Sequence, residues 1–141
     1  MDFLHQLRIQ HTVTDMIQRY AQLNDAGDYY ALTALFNHDA RFVRPSQPQE
    51  MIQGKDCILQ SFLNRPKRKT RHMVSNITVE LQSETEVSAH SQIILFLAHT
   101  DHSAEFKQIS VGGFHDQLVC IQGQWLFQQR LGYIDFSKQL L

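Results

Sequence analysis

Eight histidines are spread among fourteen acidic residues, and what they could do depends on which of them can meet. His99-Thr-Asp101-His102 has the look of a metal box. A protein site for such a cation takes three or four ligands, and no glutamate or further histidine is placed to complete the shell. The segment reads as a solvated loop, and no metal is expected. Cys57 and Cys120 lack metal or redox spacing and read as small core hydrophobes. His5, His11, His38, His90 and His115 show no nucleophile or ligand spacing either. No glycine-rich phosphate loop and no nucleophile elbow occurs.

Many residues have types suited to acid–base work; Asp25, His72 and Tyr20 are three of them, and each by itself has a bland alternative. Asp25 stands in Asn-Asp-Ala-Gly-Asp, where carboxylates often cap backbone amides. His72 falls in a β-like run, where a histidine is often merely exposed or satisfied. Tyr20 lies on an apolar helix stripe and could simply belong to the core. Arg130, six residues into the last apolar run, is a candidate for binding a substrate carboxylate or carbonyl, with a surface position as the alternative.

The elements that must position these groups follow from periodicity. Over residues 3–23 apolar side chains recur mostly at three- and four-residue steps, which predicts a long amphipathic helix. Turn formers interrupt it at 24–28, and Asp28 can cap a second helix whose apolar positions include Leu35 and Phe36. Residues 40–44 alternate as a strand before a Pro-containing loop, and a third helix is expected over 55–64. Four β-branched and aromatic runs then follow at 71–81, 86–100, 105–121 and 125–135. Helices first and turn-linked strands afterwards predict an α+β fold. Glycines at Gly112, Gly113 and Gly123 suit a bulge, bend or hairpin turn. The expected result is a strongly curved sheet closed by helices into a cone with one pocket.

Composition narrows the classes. A chain of 141 residues with 43% hydrophobic and 19% charged residues reads as a single domain, 1–141. A net charge of −1 and the lack of a basic stripe argue against a nucleic-acid partner. The one basic cluster, Arg65-Pro-Lys-Arg68-Lys, reads as a solvated connection. The opening Met-Asp-Phe-Leu-His lacks the features of a secretory signal, and the longest apolar run, 93–98, is too short for a bilayer span. Export and membrane insertion are not expected. Two free thiols suit a reducing, cytoplasmic compartment.

Five segments in order, Tyr20-Ala-Gln-Leu-Asn-Asp25-Ala-Gly-Asp28 through Phe36, Ile52-Gln-Gly54, Arg71-His72-Met-Val-Ser-Asn76-Ile, Val111-Gly-Gly-Phe-His-Asp116 and Gly123-Gln-Trp125-Leu-Phe, resemble a SnoaL-like domain of the nuclear-transport-factor-2-like superfamily. The resemblance covers essentially the whole chain. It implies a cone of curved mixed or antiparallel sheet with three N-terminal helices around one pocket. Fold likeness by itself leaves function open in so versatile a scaffold.

Within the superfamily the chain is most similar to the lyases: scytalone dehydratase, bile-acid 7α-dehydratase and hexachlorocyclohexane dehydrochlorinase. These place an Asp at the junction after the first helix and a His early on the strand after the third, which match Asp25 and His72. In the bile-acid enzyme a pocket tyrosine five residues before the Asp matches Tyr20. The second histidine of scytalone dehydratase falls near Leu97, and an arginine of the dehydrochlorinase near Ile121, so neither specific reaction transfers.

The resemblance implies a cofactor-free dehydratase or isomerase acting on a small hydrophobic, cyclic or aromatic metabolite. An imidazole can take a proton from carbon while a carboxylate on its other nitrogen fixes the tautomer. His72 is thus the implied base, Asp25 its orienting partner, and Tyr20 the group that donates to a substrate carbonyl or departing hydroxyl. Phe42, Phe62, Met73, Phe96 and Phe114 are the apolar residues expected to shape the pocket. A similarity to the small (beta) subunit of aromatic-ring-hydroxylating dioxygenases implies the alternative, a non-catalytic binder or the partner of a larger subunit. Apolar residues on both faces of the long strands imply a homodimer or homotrimer.

Overall fold

In the computed structural model, which describes residues 1–140, helix formation starts where the sequence supplies a cap. Asp2 accepts a hydrogen bond from the His5 amide at 2.8 Å and opens α1 (Phe3–Ala26). Its apolar stripe, Ile9, Val13, Met16, Ile17 and Tyr20, is buried. The helix runs past the expected end and stops at Gly27, whose φ of 75° is the left-handed conformation that glycine adopts without a Cβ penalty. Asp25 therefore sits on the last helical turn. Asp28 caps α2 (Tyr29–Thr33) by accepting from the Ala31 amide at 3.2 Å.

Helix α2 is shorter than its apolar pattern predicts. Thr33 Oγ1 donates back to the Tyr29 carbonyl at 2.9 Å, the chain leaves the helix, and Phe36 opens β1 (Phe36–Val43) instead. Tertiary packing overrides the helical pattern here. The Leu35 carbonyl accepts from the Phe127 amide at 2.8 Å, and the Phe36 and Phe127 rings lie 5.3 Å apart, both fully buried. Each such ring contributes about 1.5–3 kcal/mol through burial, more than the few tenths at stake in one helical position.

Strand β2 (Ile52–Gln53) and helix α3 (Lys55–Leu63) follow, then four long strands: β3 (Thr70–Leu81), β4 (Glu86–Ala98), β5 (Phe106–Ile121) and β6 (Gln124–Gln139). They form one six-stranded sheet in the order β2-β1-β6-β5-β4-β3. Neighbours are antiparallel except β1 and β6, which run parallel. The sheet is mixed, curled and unclosed. Its register shifts between Ser75 and Thr78, Val111 and Gly112, and Gln117 and Leu118, and such bulges bend strands. At the bend a Cβ on Gly112 would collide with the Tyr133 carbonyl and one on Gly113 with the Ser91 carbonyl.

Helix α1 lies against β3 and α3 against β1. The core joins α1 (Val13, Ile17), α3 (Ile58, Phe62) and the concave sheet face (Phe42, Phe114, Leu118, Phe127). No helix among the described residues is long and apolar enough to cross a membrane. Cys57 is exposed on α3 rather than part of the core.

Candidate active site

The end of α1 and the start of β3 meet through one carboxylate. Asp25 Oδ2 accepts the backbone N–H of His72 at 2.8 Å. Its Oδ1 accepts from Thr70 Oγ1 at 2.9 Å and stands 2.6 Å from His72 Nδ1. Asp25 thus caps no helix; Asp28 does that work. Because Thr70 and the His72 amide both donate, Asp25 is held as an acceptor, and the hydrogen of a neutral His72 ring belongs on Nδ1. Nε2 is then the unprotonated nitrogen. Alternation along β3 turns His72 inward, with its side chain only 8% exposed, and Met73 outward.

His72 lines a cavity of about 470 Å³ between the helices and the concave sheet face, within the usual range for small-molecule sites. Tyr20, Phe42, Phe62, Ile93 and Phe114 supply much of the apolar lining. Tyr20 is packed among Phe36, Phe42, Phe114 and Phe127 at centroid distances of 5.8–6.3 Å. Burial pushes its phenol up to about 12, against the opposing pull of Arg130. The hydroxyl stays protonated at any physiological pH and remains a donor. Among the described residues it has no hydrogen-bond partner.

Two of the expected substrate-binding residues are elsewhere. Arg130 is fully buried behind the cavity lining, with Nε donating to Asp116 Oδ1 at 2.9 Å and Nη2 to Oδ2 at 3.4 Å. Its guanidinium lies 3.9 Å from the Phe114 centroid and 4.2 Å from that of Tyr20. Arg130 and Asp116 are register partners on β5 and β6, so two inward charges satisfy one another. Met73 is 53% exposed on the outer face. Phe96, also expected at the pocket, points outward and packs edge-on against Phe106 at 5.4 Å. Phe114 does line the cavity.

Sequence reasoning missed three residues. Arg44, Arg65 and Arg68 line the cavity, although the segment holding the last two read as a solvated connection. Only part of it is solvated: the Lys67 side chain is 85% exposed, while Arg65 and Arg68 are half-buried. For Arg44 a signal existed, since it continues the alternation of inward-facing Phe42 on β1. Around the turn, Asp101 and His102 approach to 3.5 Å on an exposed loop, and the described residues hold no group of three or more His, Cys, Asp or Glu able to share an ion.

A family model described as the SnoaL-like domain matches residues 5–131. The chain belongs to the SnoaL-like family. Its fold is of the nuclear-transport-factor-2-like type. A search of curated proteins by sequence finds no match. Among solved structures, this SnoaL-like chain is similar to a putative scytalone dehydratase from Novosphingobium aromaticivorans, at 23% identity over 97% of this chain and 91% of that one, with a TM-score of 0.83. A hexachlorocyclohexane dehydrochlorinase superposes with a TM-score of 0.85 at 16% identity, covering 99% and 94%. A Mycobacterium tuberculosis protein of unknown function gives 0.80 at 20% identity, covering 96% and 77%. At these identities the likeness is one of fold.

Proposed function

We propose that this SnoaL-like chain is a cofactor-free lyase or isomerase acting on a small hydrophobic, cyclic or aromatic metabolite. The observation that carries the reading is the 2.6 Å contact of His72 Nδ1 with Asp25 Oδ1 at the cavity wall. With Nδ1–H held by the carboxylate, Nε2 takes a proton from substrate carbon next to an activating carbonyl. Asp25 stabilises the imidazolium that forms. The electron pair left on carbon becomes the new double bond as the hydroxyl departs as water, carrying away the proton that Nε2 took and returning His72 to its neutral form. Tyr20, a protonated donor on the same cavity, hydrogen-bonds the carbonyl or the leaving group. Two of the structural neighbours are named for eliminations, one a dehydratase and one a dehydrochlorinase, which agrees with this chemistry.

The test is a screen of cyclic hydroxy-carbonyl compounds for the absorbance of a conjugated product, run on the wild type and on His72→Ala. Loss of a positioned base should lower turnover by roughly a hundredfold or more. Full activity in His72→Ala sinks the mechanism. Recovery of the chain with a large iron–sulfur subunit, and no turnover by itself, would favour the dioxygenase small-subunit reading. The same reading includes a homodimer or homotrimer, because Ile94 and Phe136 expose apolar surface from the sheet. Light scattering at micromolar concentration should report two or three copies, and a monomer would remove that part.

A further inference from the structure

Three guanidinium groups converge on the cavity from two connecting segments: Arg44 just beyond β1, and Arg65 and Arg68 on the link between α3 and β3. None lies within 4.0 Å of a carboxylate among the described residues. Their protein partners are neutral. Arg44 Nη2 donates to Ser61 Oγ at 2.9 Å, and Arg65 Nη2 donates to Asn24 Oδ1 at 2.9 Å and Tyr29 Oη at 3.1 Å. The Phe62 ring lies 4.7 Å from the Arg44 guanidinium carbon and 5.0 Å from that of Arg65. Arg68 makes no side-chain hydrogen bond to the described residues. In all three, the buried Nε has no acceptor among the described residues.

This arrangement is costly unless something negative joins it. Burial pulls Arg68 down to about 10, with Arg65 and Arg44 adding repulsion, and Arg44 is lowered by burial and by Arg65 in the same way. Glu50 is the one carboxylate among the main influences on Arg44, and it is the weakest of them. Elsewhere in the protein a buried arginine has its counter-ion: Arg130 pairs with Asp116, although its Nη1 also lacks a partner among the described residues. Like charges crowded without a counter-ion and with N–H groups unanswered fit the planar, bidentate geometry of a carboxylate. The rest of the lining, Phe42, Ile93, Leu95 and Phe114, suits an apolar body.

We infer that the ligand of this cavity is an organic carboxylate, its apolar body on the aromatic lining and its carboxylate held by Arg44, Arg65 and Arg68. Resting on the reading above, this assigns the lyase or isomerase a hydrophobic acid as substrate and gives these arginines the anchoring role that Arg130 cannot fill. Calorimetry with benzoate and with its neutral isostere benzamide is the test. Benzoate should bind at least about tenfold more tightly, since charge-assisted bonds are roughly twice as strong as neutral ones. Arg68→Gln should remove most of that preference without changing benzamide binding, and folding should survive because Arg68 holds no other residue. Added salt should weaken benzoate alone. Equal affinity for the two probes, unchanged benzoate affinity in Arg68→Gln, or no binding of benzoate at millimolar concentration would each overturn the inference. Arginine-dependent binding without any turnover would leave the anion site standing while the catalytic reading fell.

Discussion

Asp25 grips His72 twice, taking its backbone N–H at 2.8 Å on one oxygen and its ring Nδ1 at 2.6 Å on the other. Position and tautomer of the imidazole are thereby set by a single side chain 47 residues away. The ring cannot turn without breaking its Nδ1 contact to the same carboxylate that anchors its backbone. An imidazole held so rigidly loses little entropy when it meets substrate.

Asp25→Asn should reverse the tautomer of His72. The amide oxygen must stay on the His72 backbone N–H, because an NH₂ group there would oppose a donor. That leaves NH₂ facing Nδ1, which becomes the acceptor, and the ring hydrogen moves to Nε2. Nitrogen-15 correlation spectra should show an Nδ1–H histidine in the wild type and an Nε2–H histidine in the variant. Turnover should fall by roughly a hundredfold or more, and stability should drop by only about 1–2 kcal/mol. An unchanged tautomer would contradict the assigned geometry.

Tyr20 should make stability depend on pH at the alkaline end. Its phenol titrates near 10.0 when unfolded and near 12 when folded. Its contribution is complete below pH 10 and is lost as pH rises to 12, because over that window the unfolded state releases the proton first. Roughly 2–3 kcal/mol is at stake. Urea unfolding across this range should show a steeper decline in the wild type than in Tyr20→Phe. Parallel curves would place the hydroxyl outside the low-dielectric interior. Under the proposed mechanism, Tyr20→Phe also lowers turnover at neutral pH.

Arg130 and Asp116 should behave as a structural pair. Arg130→Met strands a buried carboxyl that burial already pushes up, and should cost about 3–5 kcal/mol. The double change Arg130→Met with Asp116→Leu should recover most of that loss, since it removes both desolvated charges. Denaturant titration of the four combinations measures the coupling. Independent effects of the two changes would mean that the pair is not a unit. A folded double variant that had lost benzoate binding would return Arg130 to the ligand site.

Much of the frame is local and was readable. The α1 stripe from Ile9 to Tyr20, the Asp28 cap, the third helix after Gly54 and the four long runs of β-formers all express short-range physics: a period of 3.6 or 2, a capping oxygen, a residue type that suits a pleated surface. The pairing of Asp25 with His72 was reached from the sequence only through its resemblance to the SnoaL-like family. Nothing in either residue's neighbourhood points to the other.

What tertiary structure alone decided is the inside and outside of residues whose types suit both. Phe36 left its helical pattern because Phe127 offered a partner across the sheet. Arg130 is buried because Asp116 is its register neighbour on β5, and Met73 is exposed because inward His72 forces its neighbour on the strand to the other face. Arg65 and Arg68 flank Lys67 in a run that by composition belongs in water, yet the chain between α3 and β3 turns two of its four charges onto the cavity. Short-range propensities cannot register such choices, because the energies that settle them come from neighbours distant in sequence.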